Sequence, residues 1–231
     1  MQYAWLIWTL LLLLIWALLY VSLKERGRRE MLIVSAWTAL LGLTEPLFVP
    51  AYWNPPSLFD LAQRTGFDIE SVLFAFGVGG IVAVLYERLF AARHESIATP
   101  ERAHRRHRLH LLALFSAPIL FALLFFTTAW NPIYVAIAAL TAGGFFTWYC
   151  RPDLKVKMLA TAALFTGVYF AYFLSLIALF PGYVQAVWNL PALSGVLVLG
   201  VPLEELLFAA SFGFFWSSIY EHFTWRKLTE A

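Results

Sequence analysis

The sequence predicts an all-α, polytopic membrane protein with seven transmembrane helices, arranged as two parallel three-helix pseudo-repeats joined by a linker helix. Three observations predict this class: an apolar composition, seven long apolar stretches, and a residue pattern that recurs within the chain. Of the 231 residues, 61% are hydrophobic and 13% are charged, whereas soluble domains carry about 45–50% apolar and about 25% charged residues. The chain has too few charges to cover a surface in water, which places it in a membrane.

The seven stretches are each long enough to cross about 30 Å of hydrocarbon at about 1.5 Å per residue. The predicted spans are, in chain order, 3–23, 31–51, 68–91, 109–129, 132–150, 157–180 and 196–222. The first stretch has no small-residue cleavage site, so we expect a retained helix rather than a signal peptide. The single cysteine, Cys150, excludes an internal disulfide.

The basic residues mark one face of the predicted bundle. Fifteen of the 16 Lys and Arg residues lie between spans one and two, three and four, or five and six, or after span seven, and only Arg64 lies on the opposite side. Because cytoplasmic segments of membrane proteins are enriched in Lys and Arg, this face is predicted to be cytoplasmic. The sequence therefore predicts a plasma-membrane protein with its N-terminus outside and its C-terminus in the cytoplasm.

Residues of span three and of the segment before it recur about 134 positions later, in span seven and the segment before that. The aligned pairs are Glu70 with Glu204, Phe74 with Phe208, Gly79 with Gly213, Glu87 with Glu221 and, one position out of register, Trp53-Asn54 with Trp188-Asn189. A linker helix between two three-helix units leaves both in the same orientation. We predict a first repeat over 1–95, a basic cytoplasmic loop and linker helix over 96–131, and a second repeat over 132–231.

Four acids of the predicted spans, all toward the outer half of the membrane, are singled out: Glu45, Glu70, Glu204 and Glu205. A carboxylate near the bilayer centre costs about 2.5–3.5 kcal/mol, so such acids are functional candidates. Buried carboxyls without a cation tend to stay protonated and can then donate a proton. Glu204 and Glu205 are about 100° apart on a helix and should face different surroundings. For Glu70, helix capping and a functional role both stay open.

The segment Val201–Phe208, VPLEELLF, resembles the signature of the membrane lycopene cyclases of the heterodimeric and fused type. Pro202, Glu204, Glu205 and Phe208 match the family's Pro-x-Glu-Glu/Asp-x-x-Phe pattern. The predicted pair of three-span units also resembles the family's architecture.

The first repeat departs from this pattern. Asp68 stands where the signature has proline, and Ser71 stands where it has the second acid. Two interpretations stay open: the first site is degenerate, or Glu45 supplies the missing acid. The asymmetry puts cyclisation of both ends of lycopene in question.

The resemblance implies a carotenoid or isoprenoid cyclase that forms a terminal ring on a linear, lycopene-like polyene. An acid protonates the terminal alkene, the cation closes the ring, and a base removes a proton, so no redox cofactor is needed. We expect no cofactor and no metal site. The catalytic candidates are Glu204, Glu205, Glu70 and Glu45. The substrate-binding candidates are Phe74, Phe208, Phe212, Trp216, Asn54 and Asn189, with helix capping left open for the two asparagines.

The expected partners are a polyene or prenyl substrate and membrane lipid, and we expect no nucleic acid. A homo-oligomer or a pathway partner stays open. The main alternative function is a small secondary transporter, in which the intramembrane acids couple to protons. A scaffold subunit is a third. A rhodopsin is excluded because span seven has no lysine for a Schiff base.

A histidine run and two glutamates at the ends of spans are interpreted as structural rather than functional features. His104, His107 and His110 form a His-x-x-His-x-x-His run, for which we favour a solvated, lipid-binding segment over a metal site. Glu87 and Glu221 end spans three and seven, and we expect them to pair with Arg88 or Arg226.

Overall fold

The computed structural model describes residues 1–98, 102 and 104–229, with the side chain of Arg106 left out. Part of the predicted basic loop, residues 99–101 and 103, lies outside the described residues. The described α-helices are α1 (Ala4–Ser22), α2 (Glu25–Ala39), α3 (Leu61–Thr65), α4 (Ile69–Phe90), α5 (His110–Thr127), α6 (Pro132–Cys150), α7 (Lys155–Leu179), α8 (Tyr183–Val187), α9 (Leu203–Trp216) and α10 (Ile219–Thr224). Short 3-10 helices cover Leu40–Leu47, Leu58–Asp60, Arg105–Leu109, Pro152–Leu154 and Leu190–Ala192.

Four short strands form two antiparallel pairs. Strand β1 (Arg93–Ser96) pairs with β4 (Arg226–Thr229). Strand β2 (Leu197–Val198) pairs with β3 (Val201–Pro202).

Five helices in the described part of the chain are long and apolar enough to cross a membrane. They are Ala4–Ser22, Ile69–Phe90, His107–Thr127, Pro132–Cys150 and Pro152–Leu179. They correspond to predicted spans one, three, four, five and six, for which membrane-length helices are confirmed. Spans two and seven are not among them.

Predicted span two changes from α-helix to 3-10 helix ahead of its proline, Pro46. Helix α2 ends at Ala39, and the chain continues as the 3-10 helix Leu40–Leu47, which contains Pro46. Proline lacks the N–H that a continuing α-helix needs and disfavours helical geometry in the residue before it. The resulting α2 has 15 residues, about 22 Å at the helical rise. Span two is therefore not confirmed as a helix of membrane length.

Predicted span seven is wrong in its first turns. Residues 197–202 form the β2–β3 pair instead of a helix, and the turn between the strands has positive φ at Leu199 and Gly200. Helix α9 then has only 14 residues, about 21 Å at the helical rise. Its first turn carries Glu204 and Glu205, so these acids lie at a helix start next to a hairpin.

The chain divides into two compact units. The first unit comprises Met1–Ile81, Asn131–Ile133 and Gly167–Leu206. The second comprises Val82–Trp130, Tyr134–Thr166 and Leu207–Ala231. Each unit contains segments from both predicted repeats.

In the first unit, α1 is fastened to the second half of α7 by a reciprocal pair of side chains. The Trp8 indole N–H donates to the carbonyl of Tyr172 at 3.1 Å, and the Tyr172 hydroxyl donates to the carbonyl of Trp8 at 2.6 Å. The two rings stack with centroids 4.3 Å apart. This pair fixes the aromatic residues of α1 beside those of α7.

Also in the first unit, the 3-10 helix after α2 lies directly on the start of α4. A Cβ atom at Gly42 would lie 2.5 Å from the Cα of Val72, so only glycine permits this approach. The contact brings the chain segment of Glu45 against the first turn of α4.

In the second unit, the end of α6 packs against the start of α5 and α10. Of the histidine run, His104 is exposed, but His107 and His110 are 6% and 7% exposed. The expectation of a solvated segment is therefore wrong for these two residues, since packing against Cys150 and Trp225 removes them from solvent.

Candidate active site

The carboxyl group of Glu205 is buried and held by three neutral hydrogen-bond donors. The Tyr169 hydroxyl donates to Oε2 at 2.7 Å, and the Trp188 indole N–H donates to Oε1 at 2.8 Å. The Tyr52 hydroxyl also donates to Oε1. No Lys or Arg among the described residues forms an ion pair with Glu205, so hydrogen bonds alone balance this carboxylate.

Tyr52 is suited to its role as a donor. The residue lies outside the predicted spans and is 5% exposed. Burial, followed by the charge of Glu205, raises the pKa of the Tyr52 phenol well above its usual range. The phenol therefore keeps its proton and presents it to the carboxylate.

The neighbouring acid, Glu204, has a different environment, as the predicted angle of about 100° between the two side chains requires. Glu204 is 1% exposed. Its Oε1 accepts a hydrogen bond from the backbone N–H of Ser194 at 2.8 Å. Glu204 therefore holds the loop that precedes β2.

Glu70, which aligns with Glu204 in the sequence, makes the same kind of contact. It is 1% exposed, and its Oε1 accepts a hydrogen bond from the backbone N–H of Leu58 at 2.7 Å. Helix capping at this position belongs to Asp68, whose Oδ1 accepts from the backbone N–H of Ser71. Glu70 thus anchors a loop, and its Oε2 accepts no hydrogen bond from the described residues.

Glu45 lies beside the residue that replaces the second acid in the first repeat. Its carboxyl interacts with Ser71, Asp68 and the indole of Trp53. Glu45 is 7% exposed, and its Oε1 has no hydrogen-bond partner among the described residues. In the predicted first repeat, the position that aligns with Glu205 is therefore a serine, with an acid from another segment next to it.

Aromatic rings surround these acids within the first unit. Trp53 and Trp188 pair with ring centroids 5.3 Å apart, and Phe173 lies 5.3 Å from Trp188. Phe74 lies 5.2 Å from Trp5 and 6.4 Å from Tyr169. Of the predicted substrate-binding aromatics, Phe74 alone belongs to this cluster among the described residues.

The other three predicted aromatics belong to the second unit. Phe208 stacks on Phe212 at 5.6 Å and Phe212 stacks on Trp216 at 5.3 Å, with Phe165 at 6.1 Å from Phe212. Their spacing of four residues places them on one face of α9. They form a continuous row of rings along this helix.

The two Trp-Asn segments pair with each other through their backbones. Trp53 and Trp188 form an isolated antiparallel bridge, with the Asn54 N–H donating to the Val187 carbonyl at 2.9 Å and the Asn189 N–H donating to the Tyr52 carbonyl at 2.9 Å. Asn54 is exposed. The Asn189 side chain makes no capping hydrogen bond, and it donates to the carbonyl of Ala51 at 3.1 Å instead. This bridge brings Tyr52 and Trp188 to Glu205.

Sequence reasoning missed the donors to Glu205. Trp188 was part of the Trp-Asn motif, and Tyr52 directly precedes the other copy, so the repeated motif was a usable signal for both. Tyr169 lies within an apolar span and carries no comparable signal. Its role depends on a contact 36 residues away in sequence.

A second group of buried charges lies in the second unit. The Lys157 ammonium, 1% exposed, donates to Glu87 at 2.5 Å, to Glu221 at 2.7 Å and to the carbonyl of Ala83 at 3.0 Å. Glu221 also binds His94 Nε2 at 2.7 Å. The expected pairing of these two acids with Arg88 or Arg226 is therefore corrected to Lys157, which is buried between them.

The fold and the site together define a helical membrane protein with a buried, hydrogen-bonded carboxylate among aromatic rings. Residues 131–223 match the family model described as Lycopene cyclase. These residues contain Glu204 and Glu205, and the resemblance seen in the sequence is confirmed over this range. No curated protein and no solved structure matches the chain significantly. The family domain supports a carotenoid cyclase-type function, and nothing in the comparisons supports a transporter.

Proposed function

We propose that the protein is a membrane enzyme that closes a terminal ring on a linear polyene such as lycopene, without change of redox state. One observation carries this proposal. The family domain contains Glu205, a buried carboxylate held by three neutral donors among aromatic rings. Ring closure needs a base that is ionised in an apolar site, and this arrangement supports such a base.

The proposed reaction is an isomerisation. A carboxylic acid adds a proton to the terminal C=C bond, and the resulting tertiary cation is attacked by a neighbouring C=C bond to form the ring. Loss of a proton from a carbon next to the new cation forms a C=C bond. One proton enters and one leaves, so substrate and product have the same composition.

We assign the removal of the proton to Glu205. Hydrogen bonds donated by Tyr52, Tyr169 and Trp188 stabilise the ionised carboxylate and oppose the effect of its burial. Because none of these donors is a cation, the carboxylate stays able to accept a proton from a carbocation.

We assign the donation of the proton to Glu45. Its Oε1 accepts no hydrogen bond from the described residues, and no Lys or Arg among them pairs with it. Desolvation without a compensating charge favours the protonated form of such an acid. Trp53, which interacts with Glu45, pairs with Trp188, which donates to Glu205. An acid and a base thus flank one pair of indole rings.

Glu204 and Glu70 stay in the proposed catalytic set as alternative donors. Each also holds a loop backbone through Oε1. Glu204→Gln separates the two roles, because a glutamine keeps the oxygen that accepts from Ser194 but is a poor acid. Loss of ring formation with an unchanged unfolding temperature would support an acid, whereas retained activity would leave Glu204 only as an anchor.

The aromatic residues suit the substrate. Tryptophan and phenylalanine faces stabilise a nearby cation by about 0.5–2 kcal/mol each, which is the charge that forms during ring closure. We assign this role to Phe74 and the surrounding indole rings. The row of Phe208, Phe212 and Trp216 is proposed to contact the apolar polyene chain.

We also propose the repeat and the orientation that the sequence predicts. Glu87 and Glu221, which align in the two repeats, bind the same lysine, and Glu70 and Glu204 each accept from a loop backbone. These matched contacts support a duplicated unit. Fifteen of 16 cations on one predicted side support an extracellular N-terminus and a cytoplasmic C-terminus in the plasma membrane. A green fluorescent protein fused to the C-terminus should fluoresce, and a dark fusion that is present in the membrane would contradict this orientation.

The function is tested by expressing the chain in a host that accumulates lycopene and separating its pigments by chromatography. We expect a cyclic product with the same mass as lycopene. Membranes incubated with lycopene in heavy water should add one deuterium for each ring, because the entering proton comes from an exchangeable carboxyl. The absence of any cyclic product in cells with verified membrane expression would refute the assignment.

A further inference from the structure

A cluster of metal-binding side chains in the second unit has no role in the proposed reaction. His107, His110 and Cys150 are all buried, and one ligand atom from each lies within 4.8 Å of the others. Cys150 Sγ lies 3.5 Å from Nδ1 of His107 and 3.6 Å from Nδ1 of His110. The sulfur is therefore nearly equidistant from two imidazole nitrogens.

These distances fit a metal ion. With Zn–S bonds of about 2.3 Å and Zn–N bonds of about 2.0–2.1 Å at a tetrahedral angle, a sulfur and a nitrogen ligand lie about 3.5 Å apart. A thiol has a single proton and can donate it to one ring only. Two hydrogen bonds would therefore need the sulfur to accept from a protonated Nδ1 of one ring while it donates to the other, whereas a shared ion accounts for both contacts with the same lone pair on each ring.

The tautomer of His110 also fits. Its Nε2 lies 3.0 Å from the carbonyl oxygen of His222, which can only accept, so Nε2 carries the proton. Nδ1 therefore presents its lone pair toward Cys150, and a backbone carbonyl on the other nitrogen is a common way to orient a metal-binding histidine. Trp225 stacks on the His110 ring at 3.8 Å and fixes its plane.

A further histidine lies next to the cluster without a hydrogen-bond partner. His222 is 0% exposed, and neither of its ring nitrogens has a partner among the described residues. Its ring centroid lies 4.1 Å from that of His110. His222 lies outside the group of ligand atoms that are within 4.8 Å of one another, so it would reach a fourth coordination position only through a shift of its side chain.

We propose that His107, His110 and Cys150 bind a transition metal ion, with Zn²⁺ as the ion that this donor set fits best. One thiolate with imidazoles suits Zn²⁺ and other borderline-soft ions rather than Mg²⁺ or Ca²⁺. The ion ties the start of α5 to the end of α6. This site replaces the expectation of no metal and does not depend on the proposed cyclase activity.

The test uses the full chain purified in detergent through a histidine-free tag, stripped with a chelator and titrated with Co²⁺, which reports its own ligands. We expect one Co²⁺ per chain, visible d–d bands of four-coordinate intensity, and a near-ultraviolet thiolate-to-cobalt band. Zn²⁺ should displace the cobalt and raise the unfolding temperature. Binding no tighter than in a chain that lacks all three ligands would overturn the proposal.

Variants assign the ligands. Cys150→Ser should lose the thiolate band, and His107→Ala and His110→Ala should each weaken cobalt binding at least about tenfold. His104→Ala is the matched control, because His104 belongs to the same sequence run but is exposed, and it should bind like the original chain. If Cys150→Ser does not fold, Cys150→His should retain cobalt without the thiolate band. A thiolate band that persists without Cys150 would overturn the site.

His222 is tested separately. His222→Ala should weaken cobalt binding and change the d–d bands. Unchanged binding and bands would remove His222 from the fourth position.

Discussion

Glu205 in the first unit and Glu221 in the second are both buried acids, but their charges are balanced in opposite ways. Glu205 is held by two phenols and an indole, all neutral. Glu221 is held by the Lys157 ammonium and by His94. Protonation of a buried carboxylate next to a cation is unfavourable, because it leaves the cation buried without a counter-charge. A carboxylate held by neutral donors can gain a proton without leaving an unpaired charge.

The difference teaches which buried acids are suited to chemistry. An ion-paired acid such as Glu221 contributes to the fold and resists protonation. Acids with neutral partners, such as Glu205, lower the stability of the fold because they are buried, but they keep the ability to exchange protons. Both kinds look alike in the sequence, as glutamates near the end of an apolar span.

The largest expected effect comes from Glu205→Gln. The amide has nearly the same shape but is a poor base, so ring formation should fall about 10²- to 10⁴-fold, while the unfolding temperature changes little. Cyclic pigment per unit of membrane protein measures the effect. Glu221→Gln is the contrasting control, since it should lower stability without removing the base. Ring formation near the original rate in Glu205→Gln would break the comparison.

The second effect concerns stability. Lys157→Met removes the one ammonium shared by Glu87 and Glu221 and should destabilise the fold by about 3–5 kcal/mol. Unfolding in detergent, by heat or denaturant, measures this loss. Lys155→Met, two residues away and exposed, should have little effect. Equal unfolding temperatures for the two variants would show that the buried ion pairs do not hold the second unit.

Removing single donors from Glu205 should have a smaller effect. Tyr52→Phe and Tyr169→Phe each delete a hydrogen bond to a charged group, worth about 1.5–3 kcal/mol, so each should slow ring formation about 10- to 100-fold. Tyr183→Phe is the matched control, because the buried Tyr183 hydroxyl has no partner among the described residues. If Tyr52→Phe and Tyr169→Phe kept full activity, as Tyr183→Phe is expected to, the two phenols would not be part of the site.

The smallest effect is steric. Gly42→Ala places a Cβ 2.5 Å from the backbone of Val72 and should cost about 1–3 kcal/mol by forcing the Glu45 segment off α4. Ring formation should also fall, because the segment that carries Glu45 is displaced. Gly167→Ala, where the added Cβ meets nothing within 4 Å, should be neutral or slightly stabilising. Comparable unfolding curves for the two variants would count against the close approach.

Most of the helices could be predicted from the sequence because apolar length is a local property. The ends of spans two and seven could not, for reasons that lie in backbone chemistry. The chain of span two continues after Ala39 as a 3-10 helix that contains Pro46, and positive φ at Leu199 and Gly200 closes a hairpin where an uninterrupted apolar run indicated helix. Hydropathy averages over such residues and does not detect them.

The site was predictable in part. Glu204 and Glu205 stand out in the sequence because a carboxylate in the membrane is energetically costly and because both match the family signature. Which of the two is held by side-chain donors depends on Tyr52 and Tyr169, which come from distant segments. Lys157 was indistinguishable from the other cations at the predicted cytoplasmic face. Its burial between two aligned acids follows from packing and has no local signature.

The bridge between Trp53 and Trp188 has a consequence for biogenesis. Glu205 needs donors from positions 52, 169 and 188, so its binding environment is incomplete until about nine-tenths of the chain has left the ribosome. Until then the aromatic residues near position 52 lack their partner. Insertion of the early helices must therefore succeed on hydrophobicity alone, with the acid site assembled last.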